Sequence, residues 1–455
     1  MTRRALIGLD PLRESRGFRL LFSGQLIGVA GGQLAAVAVP YQVYLETRSS
    51  LQIGLVGLVQ LVPLMLGALL GGALGDVFDR RRILAVCSVA VGACSGVLAL
   101  NACAAHPPIA VLYLAGALSA GFGGALSAIC GAALPALVDP HRLVAANAVM
   151  QVVDQVGMVA APALAGLLIA TFALPWIYAL TAAAYLAMAP ILARMPRLDA
   201  ASAEAGTDDG GGGNEAGEPE VRLSTFLRES LGGLQYLSGR QLIQGAFLID
   251  LNAMVFGMPK ALFPALAVTV YGGGAGLLGC LYAAPAAGAL LGAMLSGWLE
   301  RIRRQARAVT AAVCCWGGAI ALFGLVHNLW IALALLALAG WADVVSAVLR
   351  GTILQRSVAD SHRGRIAALQ IVVVEGGPRL GDLEAGAVAA LSSTGFSIVS
   401  GGLACIAGAL ALSALLPAFR RDAVRAPAAE TPAAAARVPV QITQGERPEP
   451  VDADS

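Results

Sequence analysis

Charged and aromatic residues are scarce in this 455-residue chain. Only 13% of its residues are charged and 5% are aromatic, whereas 58% are hydrophobic, and the mean hydropathy is +0.75. A soluble globular domain carries about 25% charged residues, so this chain has too few charges to cover a soluble protein of its size. Disorder over most of the chain is excluded too, because disordered segments have low hydrophobicity. The net charge of +2 gives no reason to expect a nucleic-acid partner.

Long apolar runs dominate the sequence instead. A helix needs about 20 mostly apolar residues to cross a bilayer, and twelve stretches meet that requirement. The sequence therefore predicts an all-α membrane protein with twelve transmembrane helices. Their predicted limits are 19–45, 51–75, 83–105, 109–135, 144–171, 174–193, 241–270, 274–299, 308–326, 329–349, 366–391 and 395–418.

The basic residues predict an orientation for these helices. With a cytoplasmic N-terminus, 27 of the 30 Lys and Arg residues fall in the inner segments, and the exceptions are Arg48, Lys260 and Arg379. Basic residues are enriched on the cytoplasmic side of membrane proteins. We therefore expect a multi-pass protein of the cell (inner or plasma) membrane with both termini in the cytoplasm.

The two halves of the sequence resemble each other at an offset of 221 residues. LLGGALGDVFDRRR begins at Leu69 and LLGAMLSGWLERIRR at Leu290, and the four histidines form two pairs with the same offset. This repeat predicts two six-helix halves, residues 1–193 and 241–418. Between them we expect a cytoplasmic linker, 194–240, that contains an amphipathic surface helix. A disordered cytoplasmic tail, 419–455, is expected to follow.

Two short motifs resemble those of the major facilitator superfamily, whose members are built from two such halves. GALGDVFDRRR (72–82) is similar to that family's loop between helices 2 and 3, and the matching positions are Gly72, Asp76, Arg80 and Arg81. A stretch of the fifth predicted helix resembles the family's antiporter pattern, with matches at Gly157, Pro162 and Gly166. The resemblance implies one cavity between the halves, a gate at the loop and close packing of a bent fifth helix against the other half.

A narrower resemblance runs over nearly the whole chain. VAVPYQVYLETRSSLQIGL and LALAGWADVVSAVLRGTILQRSVADSHRGRI are similar to the enterobactin-exporter branch of the superfamily. The resemblance implies proton-coupled export of a catecholate siderophore such as enterobactin by alternating access. The partners expected are a small-molecule substrate, protons, the lipid bilayer and an outer-membrane export partner. The alternatives are a multidrug or macrolide-type efflux pump of the same fold and a non-transporting membrane scaffold or sensor.

Ionisable residues inside the apolar helices are the candidates for proton coupling. Each costs about 2.5–3.5 kcal/mol on insertion scales and marks a functional site by default. Glu375, Arg379 and Asp382 have the spacing i, i+4, i+7 and share one helical face. Burial and the arginine act on these carboxylates in opposite directions, which would let one acid take up and release a proton. A buried ion pair that only orients the helix is the structural alternative. Asp154 and Asp250 are the other proton-coupling candidates.

Polar residues in the cavity-lining helices are the candidates for substrate contacts. In the superfamily these are helices 1, 4, 7 and 10, and our candidates in this chain are Gln25, Gln33, Asp250, Lys260 and Asp343. Lys260 would attract catechol or other anionic oxygens. The structural alternatives are hydrogen bonds to neighbouring helices for the glutamines and aspartates, and snorkelling to the membrane interface for Lys260.

Motifs for enzymatic chemistry are missing from the sequence. It has no Gly-rich phosphate loop with its lysine, no nucleophile elbow and no zinc motif. Its eight cysteines lack the spacing of metal ligands. We therefore expect no enzyme activity, no cofactor and no metal site, and coupling to an ion gradient rather than to ATP.

Overall fold

The computed structural model describes residues 10–197, 236–237, 239–302, 304–358 and 362–421. Within these ranges the chain is helical and contains no strand. A helix satisfies its backbone polar groups internally, as a segment in lipid must. The twelve long helices of these ranges are α1 (Arg16–Thr47), α2 (Ser50–Val77), α3 (Arg80–Ala102), α4 (Ile109–Leu137), α5 (Leu143–Thr171), α6 (Leu174–Ala193), α7 (Gln241–Val270, interrupted at 257–259), α8 (Gly274–Met294), α9 (Gln305–Phe323), α10 (Leu329–Ser357), α11 (Arg363–Leu391) and α12 (Thr394–Leu415).

Eleven of these helices are, among the described residues, long and apolar enough to cross a membrane. The twelfth, α11, has 29 residues, which span about 43 Å at 1.5 Å per residue. It packs inside the same bundle against α2 and α7, and its charged residues explain its lower apolar content. The predicted twelve-helix membrane fold is thus confirmed.

The two six-helix halves repeat each other along the chain. Helix α4 begins at Ile109 and α10 at Leu329, 220 residues later, and α5/α11 and α6/α12 have the same separation. The same pairs pack in each half: α2 on α4 and α3 on α6 in the first, α8 on α10 and α9 on α12 in the second. The predicted offset of 221 therefore reflects a repeat of the fold.

The bundle has two distinct ends. Since the helices alternate in direction, residues 10 and 421 lie at the same end, which we call the proximal end; the loops after α1, α3, α5, α7, α9 and α11 form the distal end. Ser15 Oγ donates to the Leu137 carbonyl at the proximal end (2.7 Å), and Phe419 is fully buried against Gly245 of α7. Nearly all of the predicted amphipathic helix (221–237), and the tail beyond residue 421, lie outside the described residues.

Two seams on the distal side join the halves. In the α5–α8 seam, Gly166 lies against Gly279, where an added Cβ on Gly279 would be 2.7 Å from the Gly166 Cα. In the α2–α11 seam, Gly54 packs on the backbone of Asp382 and Leu383, and an added Cβ on Gly54 would be 2.6 Å from the Asp382 carbonyl oxygen. Only glycine allows backbones to approach this closely.

The same helix faces become exposed toward the proximal end. On α5, Pro162 is buried, whereas Met158, one turn nearer the proximal end, is 54% exposed. On α8, Gly279 is buried, whereas Leu290 is 39% exposed and Met294 is 75% exposed. The faces that form the α5–α8 seam therefore separate toward the proximal end, and the halves are open there.

Several predicted helix limits differ from the structure by a few residues, and two differences have a clear structural reason. Helix α10 runs to Ser357 rather than ending at residue 349, because Arg350 has a buried partner and need not leave the bundle. Helix α7 is interrupted at residues 257–259 rather than continuous, because Pro259 cannot continue the helical hydrogen bonds.

Candidate functional site

A cavity of about 340 Å³ lies between the two halves near the middle of the bundle. It falls within the range of about 300–1,000 Å³ that is typical of small-molecule sites. Seven helices from both halves supply its mainly apolar walls. The apolar lining residues include Val37, Pro40, Met158, Pro162, Phe263, Pro285, Ile320 and Leu336.

The ionisable groups in this cavity come from the second half. Lys260 of α7, Asp343 of α10 and Asp382 of α11 line it, and Gln33 of α1 is the polar residue from the first half. Two carboxyl groups and one ammonium group thus share a mainly apolar space, where a few polar groups fix the orientation of a ligand. The predicted cavity residues Gln33, Lys260 and Asp343 are therefore brought together, and Asp382 joins them.

The interruption of α7 at 257–259 forms one wall of the cavity. Proline lacks an N–H and disfavours the helical conformation of the residue before it. Side chains of other helices bond the backbone groups freed at this point. Trp316 Nε1 donates to the Gly257 carbonyl (2.7 Å), and Asp382 Oδ1 accepts from the Ala261 N–H (2.9 Å). The role of Trp316 had no signal in the sequence, whereas the letters GMP at 257–259 gave one for the break.

The predicted charge cluster on α11 is divided in the structure. Arg379 Nη1 pairs with Glu375 Oε2 at 3.0 Å, one turn away on the same helix. Asp382 instead faces the cavity and bonds to α7. Instead of the expected group of two carboxylates around one guanidinium, the structure has a Glu375–Arg379 ion pair and, separately, the acid Asp382 at the cavity.

Asp250 is paired with Arg350, a residue that the predicted helix limits left outside α10. Arg350 was predicted to lie just beyond the tenth helix, and this limit is wrong, since Arg350 lies inside α10 and is only 6% exposed. Its Nη2 lies 2.7 Å from Asp250 Oδ1, and its Nη1 donates to Ser346 Oγ at 3.0 Å. The pair ties α7 to α10 and offsets the desolvation of both charges. Among the described residues, neither member lines the cavity.

Asp154 and Gln25 form a polar contact inside the first half. Gln25 Nε2 of α1 donates to Asp154 Oδ1 of α5 at 3.3 Å. Neither Gln25 nor Asp154 is among the described residues that line the cavity. The structure thus gives Gln25 the helix-to-helix hydrogen bond that was the alternative to a substrate contact.

The three antiporter-like positions of α5 have separate surroundings. Gly157 packs against Val29 of α1. Pro162 lines the cavity, and its carbonyl faces Gly279 of α8. Gly166 forms the α5–α8 seam with Gly279. Two of the three positions therefore lie where α5 meets the opposite half.

The 72–82 loop bonds to its own half at the proximal end. Arg80 Nε donates to the Gly75 carbonyl and its Nη1 to the Ala132 carbonyl, both at 2.9 Å. Arg81 Nε pairs with Asp79 Oδ2 at 2.7 Å. These bonds join α2, α3 and α4. A Cβ added on Gly72 would meet no atom within 4 Å, and the Asp76 side chain lies outside the described part of the structure.

Sequence comparisons agree on one family. The model of the Major Facilitator Superfamily matches residues 21–369. A relative named "Enterobactin exporter EntS" from Citrobacter koseri is 28% identical over 417 residues, covering 91% of this chain and 95% of its own. A protein of the same name from Escherichia coli is 29% identical over 402 residues, covering 87% and 92%.

Solved structures share the fold at low sequence identity. A point mutant of the nucleoside transporter NupG has a TM-score of 0.65 at 11% identity, covering 89% of this chain and 99% of its own. A bacterial homologue of the transporter Spinster, in an inward-facing and unoccupied conformation, has a TM-score of 0.65 at 15% identity, covering 89% and 96%. An inward-facing bacterial homologue of ferroportin has a TM-score of 0.62 at 14% identity, covering 89% and 98%.

Proposed function

The chain belongs to the major facilitator superfamily, and on that premise we propose that it is a proton-coupled exporter of a catecholate siderophore such as enterobactin. It is a multi-pass membrane transporter, not an enzyme. Export by alternating access requires a cavity that both halves share. It also requires seams between the halves that close alternately at the two ends of the bundle. We propose in addition the direction of transport, the substrate and the coupling ion.

The observation that carries the substrate proposal is the composition of the cavity. Adjacent hydroxyl groups of a catechol donate hydrogen bonds, and the carboxyl groups of Asp343 and Asp382 accept them. The ammonium group of Lys260 donates to amide, ester or catechol oxygens. The apolar wall suits the aromatic rings, and the relatives named as enterobactin exporters cover almost the whole chain.

Asp343 and Asp382 are also the best candidates for the coupling proton. Both face the cavity, so substrate and proton compete for the same carboxyl groups. The other acids are occupied elsewhere: Asp250 by Arg350, Glu375 by Arg379, and Asp154 by Gln25. A proton taken up by Asp343 or Asp382 would release the substrate, and its loss to the cytoplasm would prepare the next cycle.

The proposed orientation puts the proximal end in the cytoplasm of the cell. The open proximal end then admits substrate from the cytoplasm, while the two distal seams exclude the outer side. In the opposite state the 72–82 loop, with Gly72, Asp76, Arg80 and Arg81, would close the proximal end by bonding to the other half. A substrate released on the outer side of the inner membrane then needs an outer-membrane export partner.

Transport by the purified protein in liposomes tests this proposal. Catecholate transport should require a pH gradient and should fail in Asp382→Asn. Glu384→Gln is the matched control, since it removes a carboxylate from the same helix that does not line the cavity. Equal transport with and without the gradient would contradict proton coupling. Normal catecholate secretion by iron-limited cells that lack the gene would contradict the substrate.

One observation favours a second candidate, a multidrug or macrolide-type efflux pump. The cavity carries two acids against one base, which suits amphipathic cations as well as catechols. Cells without the gene would then become sensitive to cationic drugs while secreting siderophore normally. The same liposomes, loaded with a fluorescent amphipathic cation, separate the two substrates directly.

A further inference from the structure

One turn of α11, residues 381–383, touches three separate parts of the molecule. It meets both segments of the interrupted helix α7, and it meets α2 of the opposite half. We call it the 381–383 turn. Its three contacts connect the cavity wall with the α2–α11 seam.

The first contact is with the end of the first α7 segment. An added Cβ on Gly381 would lie 2.5 Å from the Met254 carbonyl oxygen and 2.8 Å from that of Val255. One turn earlier, a Cβ on Gly377 would lie 3.0 Å from the Met254 Cβ. The turn therefore rests directly on the α7 backbone just before the break, without intervening side chains.

The second contact is with the start of the second α7 segment. The Asp382 carboxylate accepts the Ala261 N–H at 2.9 Å, as a capping side chain does at a helix N-terminus. Tyr282 donates to the Lys260 carbonyl at 3.3 Å from the side of α8. The segment that presents Lys260 to the cavity is thus held by α8 and by Asp382 of the 381–383 turn.

The third contact crosses to the other half. Gly54 of α2 packs on the backbone of the same turn, where an added Cβ would lie 2.6 Å from the Asp382 carbonyl oxygen and 2.7 Å from the Leu383 Cα. One turn farther toward the distal end, an added Cβ on Gly386 would lie 2.6 Å from the Ser50 carbonyl oxygen. At these distances any movement of the turn toward α2 would push the α2 backbone away and separate the seam.

We propose that Asp382 is a positioning residue that couples the second α7 segment to the distal α2–α11 seam. This role rests on the proposed transport function, and it supplies the path from the cavity to the seam that closes the distal end. In the distally closed state the hydrogen bond from the Ala261 N–H to Asp382 holds the 381–383 turn against Gly54. A substrate that draws Lys260 and its segment into the cavity breaks this bond, the turn is freed from Gly54, and the distal end opens.

The test measures the distal opening directly, without substrate or gradient. Nitroxide labels at Glu46→Cys and Ser392→Cys, both exposed at the distal end, report the distance between the halves in the full-length protein with its native cysteines replaced. Asp382→Ala removes the cap, and Ala261→Pro removes the donor but keeps the carboxylate. Asp382→Asn keeps an acceptor oxygen. Glu384→Gln is the control on the same helix.

We expect Asp382→Ala and Ala261→Pro to raise the ratio of long to short distances by about three- to tenfold, the effect of losing one hydrogen bond. Asp382→Asn and Glu384→Gln should keep the wild-type distribution. Gly54→Ala should lengthen the distances independently of the cap, which shows that the labels report the seam.

Wild-type distances in both Asp382→Ala and Ala261→Pro, with a response in Gly54→Ala, would overturn the coupling. A response in Asp382→Asn as large as in Asp382→Ala would overturn it as well, because the charge and not the cap would then matter. If Asp382→Ala aggregates, Ala261→Pro alone decides. Failure of proton-driven catecholate transport would leave these distances unaffected, so the two proposals fail separately.

Discussion

The two halves share a backbone plan but differ in their buried chemistry. Among the described residues, the charged side chains that line the cavity, Lys260, Asp343 and Asp382, come from the second half, which also contains the buried Asp250–Arg350 pair. The first half contributes Gln33 and apolar side chains to the cavity. Its hydrogen bond between Gln25 and Asp154 is longer, at 3.3 Å, and only part-buried.

This difference indicates that the two halves contribute different things to the protein. Backbone symmetry is what two halves need to rock against each other, since the α5–α8 and α2–α11 seams are equivalent crossings. Chemical symmetry is not needed, because one set of polar groups between the halves is enough to bind one substrate. The second half therefore carries the ionisable groups of the cavity, and the first half completes the wall.

The largest effect we expect is on stability, from breaking the Asp250–Arg350 pair. Arg350→Met leaves Asp250 buried without its counter-charge, which costs about 3–5 kcal/mol. Thermal unfolding of the purified protein in detergent should show a large drop in midpoint. Asp250→Leu combined with Arg350→Met should recover most of it, because the replacement pair is apolar. A double variant as unstable as the single one would show that the ion pair is not the cause.

The next effect is on transport and contrasts the two halves within one cavity. Asp343→Asn removes a charged acceptor, and hydrogen bonds to charged groups are worth about 1.5–3 kcal/mol. We expect catecholate transport into liposomes to slow about 10- to 100-fold. Gln33→Leu removes a neutral group and should slow it only about two- to fivefold. Equal losses in both variants would mean that the first half shares the chemistry.

Much of the fold was predictable from the sequence, because apolar length and the 221-residue repeat depend on local composition. Asp343 and Asp382 could also be singled out as functional candidates, because a charged residue inside an apolar helix is costly to bury. The pairing of Asp250 with Arg350 was not, because it joins residues far apart in sequence, and the positive-inside pattern favoured a loop for Arg350. The bond from Asp382 to the Ala261 backbone was hidden as well, because it depends on the break in α7.

The seams offer a test of the symmetry itself, with an intermediate effect. In Gly279→Ala a Cβ would lie 2.7 Å from the Gly166 Cα, and in Gly54→Ala 2.6 Å from the Asp382 carbonyl oxygen. Overpacking costs about 1–3 kcal/mol, so both variants should lengthen the distances between nitroxide labels at Glu46→Cys and Ser392→Cys to a similar extent. Gly276→Ala is the control on α8, since its Cβ would meet the Ala170 Cβ at an ordinary 3.5 Å. Opening in one variant alone would make the seams unequal.

The smallest effect should come from the polar contact of the first half. Gln25 and Asp154 meet at 3.3 Å away from the cavity, so Gln25→Leu should lower stability by about 0.5–1.5 kcal/mol. Asp154→Asn can keep the hydrogen bond by rotating its amide and should leave the dependence of transport on the pH gradient unchanged. If Asp154→Asn abolished gradient-driven transport, as Asp382→Asn is expected to do, the proton would be carried by the first half. The second half would then bind the substrate and the first half would carry the proton, and the charged groups of transport would not all lie in the second half.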